Sequence, residues 1–289
     1  MSSKTPKSAS LKPKGPHPSE LNPPQPIGAW NDARLAASWE WDFPARLLPT
    51  RRDETSEGHS TRMDSLLVEA IRESYAQATP GSPTAKMREA VEAFHDAYGQ
   101  FLHHNIEANS IHVSCGRGCS RCCHHFVTSV HAIEVLCFYE AIRERPDIES
   151  LIEACKKRTE DFEGWKDFCE ETYPDQTPSK REDLALEHYY DERNPCPFLA
   201  GDGACGVYKA RPLTCRMYLA SSTPDFCEAE NITDFAADVF TIPPDESIAE
   251  RMARVDRAVD FWGHSPDLYR SLARLHDWRK RWLDPSKTA

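Results

Sequence analysis

The sequence CGRGCSRCC at residues 115–123 places four cysteines within nine residues, with two glycines between them. Packing does not explain such density, because a buried cysteine behaves as a small hydrophobic residue that has no reason to recur. Close spacing instead lets one loop surround an ion. Gly116 and Gly118 favour that loop, since glycine accepts positive φ and leaves amide N–H groups free to approach thiolate sulfur.

Four further cysteines follow in the segments CPFL at 196–199, CGVY at 205–208 and RPLTCR at 211–216, and at Cys227. The Gly201-Asp202-Gly203 turn between two short apolar runs predicts a small β-hairpin. The eight predicted metal ligands are therefore Cys115, Cys119, Cys122, Cys123, Cys196, Cys205, Cys215 and Cys227. Their number suits two four-coordinate ions, one polynuclear cluster or one site that draws on both blocks.

The adjacent pair Cys122 and Cys123 bears on this choice. Neighbouring side chains tend to point apart, so chelation of a single tetrahedral ion by both would be strained. Two neighbouring sites, or one bridged cluster, relieve that strain.

Two further groups of residues could contribute to the metal site. Positive charge to offset the thiolates could come from Arg117, Arg121, Arg211 and Arg216, and additional ligands from His112, His124, His125, His131 and Glu134.

Composition narrows the class of protein. Eleven cysteines with no secretory signal predict a reducing, cytoplasmic compartment, where thiols bind metal and do not pair as disulfides. The net charge of −11 disfavours nucleic acid as a partner. No apolar run is long enough to cross a membrane. We therefore expect metal ions as partners, with neither nucleic acid nor membrane.

Hydrophobic periodicity predicts a mainly α fold: a helical scaffold that carries the small hairpin and the loop-borne cysteine sites. Residues 1–58 are Pro-rich and predicted to form a disordered tail, whose aromatic residues could dock on a protein partner; these are Trp30, Trp39, Trp41 and Phe43. Residues 59–289 are predicted to form the metal-binding domain, with its motif region at 112–230. Cys155 and Cys169 lie on an apolar helical stripe and are expected to be structural.

Helix termini give more local predictions. Thr128 or Ser129 is expected to cap the helix after the first cysteine block, and Ser265 the last helix. Arg279 is expected near the C-terminus of that last helix, where a cation complements the dipole.

The two blocks resemble the YkgJ-type cysteine-cluster family, the CxxCxxCC zinc- or iron-chelating domain. The resemblance covers about residues 112–230, and the matching positions are Cys115, Cys119, Cys122, Cys123, Cys196, Cys205, Tyr208, Arg211, Pro212, Cys215 and Arg216. Cys227 matches the trailing cysteine less closely, and Glu134 resembles the acidic residue that often follows the first block. Departures are the three-residue gap after Cys115 and a longer insertion between the blocks. The resemblance implies a metal or iron–sulfur domain of unassigned activity.

Three functions are compatible with these residues. The first is a non-catalytic metalloprotein that holds zinc or an iron–sulfur centre. The second is a cluster-dependent enzyme, such as a protein-lysine methylase, since flagellin lysine methylases look similar in their cysteine block. The third is a zinc-ribbon-like interaction module. The spacing from Cys115 to Cys122 also equals that of radical S-adenosylmethionine enzymes, but a helix-dominated sequence argues against their barrel.

Overall fold

In a computed structural model, the chain is described at residues 46–48, 50, 53–75, 83–221, 227, 239–259 and 262–283. This part of the chain is mainly helical, which confirms the predicted fold class. Its helices are α1 (Glu54–Tyr75), α2 (Ala85–Ala108), α3 (Ala132–Ile142), α4 (Ile148–Thr172), α5 (Pro178–Asp191), α6 (Leu213–Met217), α7 (Glu246–Val259) and α8 (Leu268–Leu283). Its strands are β1 (Arg46–Leu47), β2 (Leu219–Ala220) and β3 (Val239–Thr241). Among these helices, none is long and apolar enough to span a bilayer.

The first two helices pack against each other. Met63, Leu67 and Ala70 recur at helical spacing on α1 and are almost fully buried. Helix α2 begins after Thr84, whose hydroxyl accepts a hydrogen bond from the Met87 N–H at 3.0 Å.

Regular structure begins before the predicted domain boundary at residue 58. Residue 58 lies inside α1, which begins at Glu54, and β1 lies farther towards the N-terminus. The fold therefore includes at least residues 46–48, which the Pro-rich composition assigned to the tail. The predicted docking of the tail on a partner concerns residues outside the described part of the chain.

A three-stranded sheet closes one side of the helices, with strand order β1-β3-β2. Strand β3 is parallel to β1 and antiparallel to β2. The Ala220 carbonyl of β2 also accepts the Ser114 N–H at 2.9 Å, which fixes the start of the first cysteine block against the sheet. The predicted hairpin at 197–208 is a tight reversal with a single antiparallel bridge, Leu199 to Cys205.

The main core lies between α3, α4, α5 and α8, with a second apolar cluster formed by α1, α2, α6, α7 and β3. Cys155 and Cys169 have no exposed surface and pack within the main core, which confirms their predicted place on a buried helical stripe. Helix α5 was not predicted, although Thr177 followed by Pro178 is a typical helix start.

Two cap predictions are wrong. Helix α3 is capped by His131, which forms a capping box with Glu134, and not by Thr128 or Ser129. Helix α8 begins after Asp267, whose carboxylate accepts the Arg270 N–H at 2.7 Å. In both cases a residue nearer the helix has the better geometry.

Candidate metal centre

The first cysteine block forms a compact knuckle. The Cys119 N–H donates to the Gly116 carbonyl at 3.0 Å, and Gly118 has φ of +87°. Residues Arg121–His124 then make one 3₁₀ turn. Only Gly118 of the two glycines needs a positive φ, which is the conformation that glycine adopts without strain.

The second block is held against this knuckle by backbone contacts. The Cys196 N–H donates to the Cys123 carbonyl at 2.7 Å. At the Gly201–Gly203 turn, a Cβ on Gly203 would lie 2.8 Å from the Gly118 carbonyl oxygen. The two turns therefore touch with no space for a side chain. The long insertion between the two blocks forms α3, α4 and α5, which bring the chain back to the first cysteine block.

All eight predicted ligands line two adjacent cavities. A cavity of about 20 Å³ is lined by Cys115, Cys119, Cys122 and Cys227. A larger one of about 110 Å³ is lined by Cys123, Cys196, Cys205 and Cys215, and also by Cys122. We call the first four cysteines quartet one and the other set, Cys123, Cys196, Cys205 and Cys215, quartet two. The vicinal pair is thus divided between quartets, with Cys122 at their boundary.

The thiols are not arranged as a preformed metal site. Among the residues described, no three Cys, His, Asp or Glu side chains are placed to hold one ion together. The donor set itself fits zinc or an iron–sulfur cluster, both of which are commonly held by four thiolates. Binding would therefore require side-chain rotation into each cavity.

Burial makes several of these thiols harder to ionise. A hydrogen bond with Cys123 and burial raise the pKa of Cys122 well above its ordinary value. Burial raises the pKa of Cys215 to about 12, although the nearby Arg211 opposes the shift. Burial also raises the pKa of Cys227 to about 11. An ion would have to displace these protons on binding.

Of the four arginines in the blocks, two face the thiols. Arg211 lines the larger cavity, and although burial would lower its pKa, charge interactions with the surrounding cysteines raise it. Arg121 lines the smaller cavity. Arg216 instead donates to the carbonyls of Tyr208, Lys209 and Arg211 and so holds the loop before α6. Arg117 is exposed.

The candidate histidine and acidic ligands are placed unequally. His125 lines both cavities, stacks on Tyr190 at a centroid distance of 4.0 Å, and has its pKa lowered to about 3 by burial. His112 is exposed, and His124 Nδ1 lies 3.2 Å from the Arg121 carbonyl. His131 contacts Asp256, with Nδ1 and Oδ2 2.6 Å apart.

Glu134 belongs to neither cavity. It is 1% exposed, and its Oε1 lies 2.9 Å from His95 Nε2 and 2.6 Å from the Leu213 N–H. Its Oε2 accepts the His131 N–H at 3.2 Å. Glu134 therefore connects the helix after the first block to α6, which carries Cys215. The role of Glu134 in this structure is to position α6.

Sequence reasoning missed the aromatic wall of the site. Tyr190 and Tyr218 line the smaller cavity beside His125, and the Tyr190 hydroxyl donates to the Cys227 carbonyl. Tyr190 is carried by α5, whose Thr-Pro start was the signal available in the sequence. Its contact with Cys227 is between residues 37 positions apart, and local pattern does not predict it.

Comparisons with known proteins add no assignment: no family model matches the chain, and no curated protein or solved structure matches it. The resemblance to the YkgJ-type family stays a prediction from the cysteine spacing.

Proposed function

We propose that this protein binds metal through two neighbouring cysteine quartets, in a non-catalytic role as a store, sensor or structural centre. The observation that supports this proposal is that eight of the eleven cysteines line two adjacent cavities, while Cys137, Cys155 and Cys169 lie elsewhere in the interior. Four thiols per quartet is the ligand number of zinc and iron–sulfur sites.

The electrostatics support the same proposal. Two divalent ions held by eight thiolates would leave about four excess negative charges. Arg211 and Arg121 line the two cavities and would offset part of this charge. A cytoplasmic location belongs to the proposal, since a reducing compartment keeps the thiols available.

A cluster-dependent enzyme, such as a protein-lysine methylase, is the weaker alternative. The cavity of quartet two measures about 110 Å³. Sites for organic ligands usually measure roughly 300–1,000 Å³. An S-adenosylmethionine molecule would therefore need a larger opening beside the thiols than this structure provides.

The test is to purify the full chain without oxygen and to measure zinc, iron, acid-labile sulfide and the visible spectrum. Zinc without sulfide would indicate tetrathiolate ions, and iron with sulfide a coloured cluster. Protein that takes up neither metal would overturn the proposal.

Two serine variants test the division into quartets. We expect Cys119→Ser to lose the metal of quartet one alone and Cys215→Ser that of quartet two alone. Cys169→Ala, which removes a thiol far from both cavities, serves as the control and should retain all metal. Loss of all metal in either serine variant would indicate one shared centre, and full retention in both would contradict the model.

A further inference from the structure

A third cavity, of about 300 Å³, lies between α2, α3 and the loop at 206–210. It is distinct from the thiol cavities, and no step of the proposed metal binding uses it. Its volume reaches the lower end of the range for small-molecule sites. Apolar walls are provided by Val91, Cys137, Ala141, Val207 and Ala210.

One polar group in its lining has no partner. His95 is 2% exposed, and its Nδ1 is buried without a hydrogen bond. Such groups are uncommon in folded proteins, and a bound water or ion is one explanation for them. His95 is one of the residues that line the cavity, and a bound molecule would reach Nδ1 after a small shift of the side chains that bury it.

The proton on the other ring nitrogen can be placed from its partner. Burial would raise the pKa of Glu134, but its hydrogen bond and charge interaction with His95 outweigh burial and lower it, so Glu134 is a carboxylate. A carboxylate only accepts, so His95 Nε2 must carry the proton. Nδ1 is then an acceptor in neutral imidazole and a donor in imidazolium. A hydroxyl satisfies either state, because it both donates and accepts.

The charged side chains at the rim indicate which second group the ligand carries. Arg88 and Lys209 are exposed and line the cavity with one acidic residue, Glu92. The lining therefore carries a net positive charge on a chain whose net charge is −11. Guanidinium and ammonium groups are the usual partners of carboxylates.

We propose that this cavity binds a small hydroxy acid, with its carboxylate at Arg88 and Lys209 and a hydroxyl on His95 Nδ1. The Tyr208 ring, which is 62% exposed at the rim, can cover the bound molecule. This proposal is independent of metal binding. The two sites are nevertheless connected by Glu134, which contacts both His95 and the first residue of α6.

The experiment is calorimetric titration of the full chain with probes that share a carbon skeleton. Glycerate and gluconate carry both groups, propionate and hexanoate only the carboxylate, and glycerol and sorbitol only hydroxyls. We expect the hydroxy acids to bind at least tenfold more tightly than the matched molecules. Tenfold corresponds to about 1.4 kcal/mol, close to the contribution of one hydrogen bond. Equal binding of propionate and glycerate, and of hexanoate and gluconate, would overturn the role of His95.

Variants and a spectroscopic readout locate the site. Arg88→Gln should weaken binding at least fivefold, whereas Lys86→Gln, the same charge change at an exposed position of the same helix but outside the lining, should not. Ala141→Trp should block the cavity. The ¹⁵N chemical shift of His95 Nδ1 should move on titration, which binding elsewhere would not cause. The proposal is wrong if neither hydroxy acid binds with a Kd below 10 mM, which corresponds to roughly 2.7 kcal/mol. It is also wrong if Arg88→Gln and Ala141→Trp both bind the hydroxy acids as the wild type does.

Discussion

Replacing Glu134 with glutamine tests whether one buried carboxylate holds the two cysteine-bearing segments together. Its Oε1 contacts His95 and the Leu213 N–H, and its Oε2 accepts the His131 N–H. Glutamine keeps the shape but has only one acceptor oxygen. Whichever way the amide is oriented, one backbone N–H faces an NH₂ group.

The magnitude follows from these contacts. A buried donor left without an acceptor costs about 1–3 kcal/mol. The hydrogen bonds that remain lose the charge of the carboxylate, which weakens them by about 1 kcal/mol in total. We therefore expect Glu134→Gln to lower the free energy of unfolding by about 2–4 kcal/mol, measured by urea denaturation at pH 7.

The pH dependence gives a second readout. Interactions in the folded protein lower the pKa of Glu134 below its ordinary value of 4.5. Its stabilisation is therefore present above about pH 4.5 and is lost as the pH falls through the lower folded pKa. The difference between wild type and variant should shrink over that range. Glu144→Gln, an exposed change just after the same helix, is the control. A difference no larger than that control, or one independent of pH, would refute the reasoning.

Two further substitutions test packing around the site. Gly203→Ala should destabilise the protein by about 1–3 kcal/mol in urea denaturation and reduce its metal content, because Gly203 has φ of +78° and a Cβ there would lie 2.8 Å from the Gly118 carbonyl oxygen. Gly201→Ala is the control and should do neither, since a Cβ at that position meets open space. Arg279→Met should lower the thermal midpoint and reduce the free energy of unfolding by about 2 kcal/mol, because it removes the buried guanidinium that lies 2.6 Å from the Glu140 carboxylate. An unchanged midpoint, or an equal effect from the exposed change Arg281→Met, would contradict this.

The outcome at Arg279 shows a limit of sequence reasoning. Its place near the end of α8 suggested only a cation that complements the helix dipole. In the structure it is 6% exposed and lies over the Tyr139 ring at 5.3 Å. Periodicity assigned the helix correctly, but the partner helix α3 is far away in the sequence and decides what that position faces.

The sequence by itself determined the mainly helical class, because apolar residues at spacings of three and four can bury one face only as helices. It also identified the eight cysteines as a group, since thiol density is a local property. It did not predict α5 or the start of the fold before residue 58, because a short amphipathic segment and a two-residue strand carry little local signal.

Only the tertiary structure decided how the eight cysteines divide. Cys122 and Cys123 are adjacent in sequence, yet Cys123 faces three cysteines that come more than seventy residues later, brought back by α3 to α5. The same long-range packing placed His95 against Glu134, beside a cavity, and left one of its ring nitrogens buried without a hydrogen-bond partner. The spacing of cysteines in the sequence indicates which residues can bind metal, whereas the packing of helices that are distant in sequence determines which of those residues lie together.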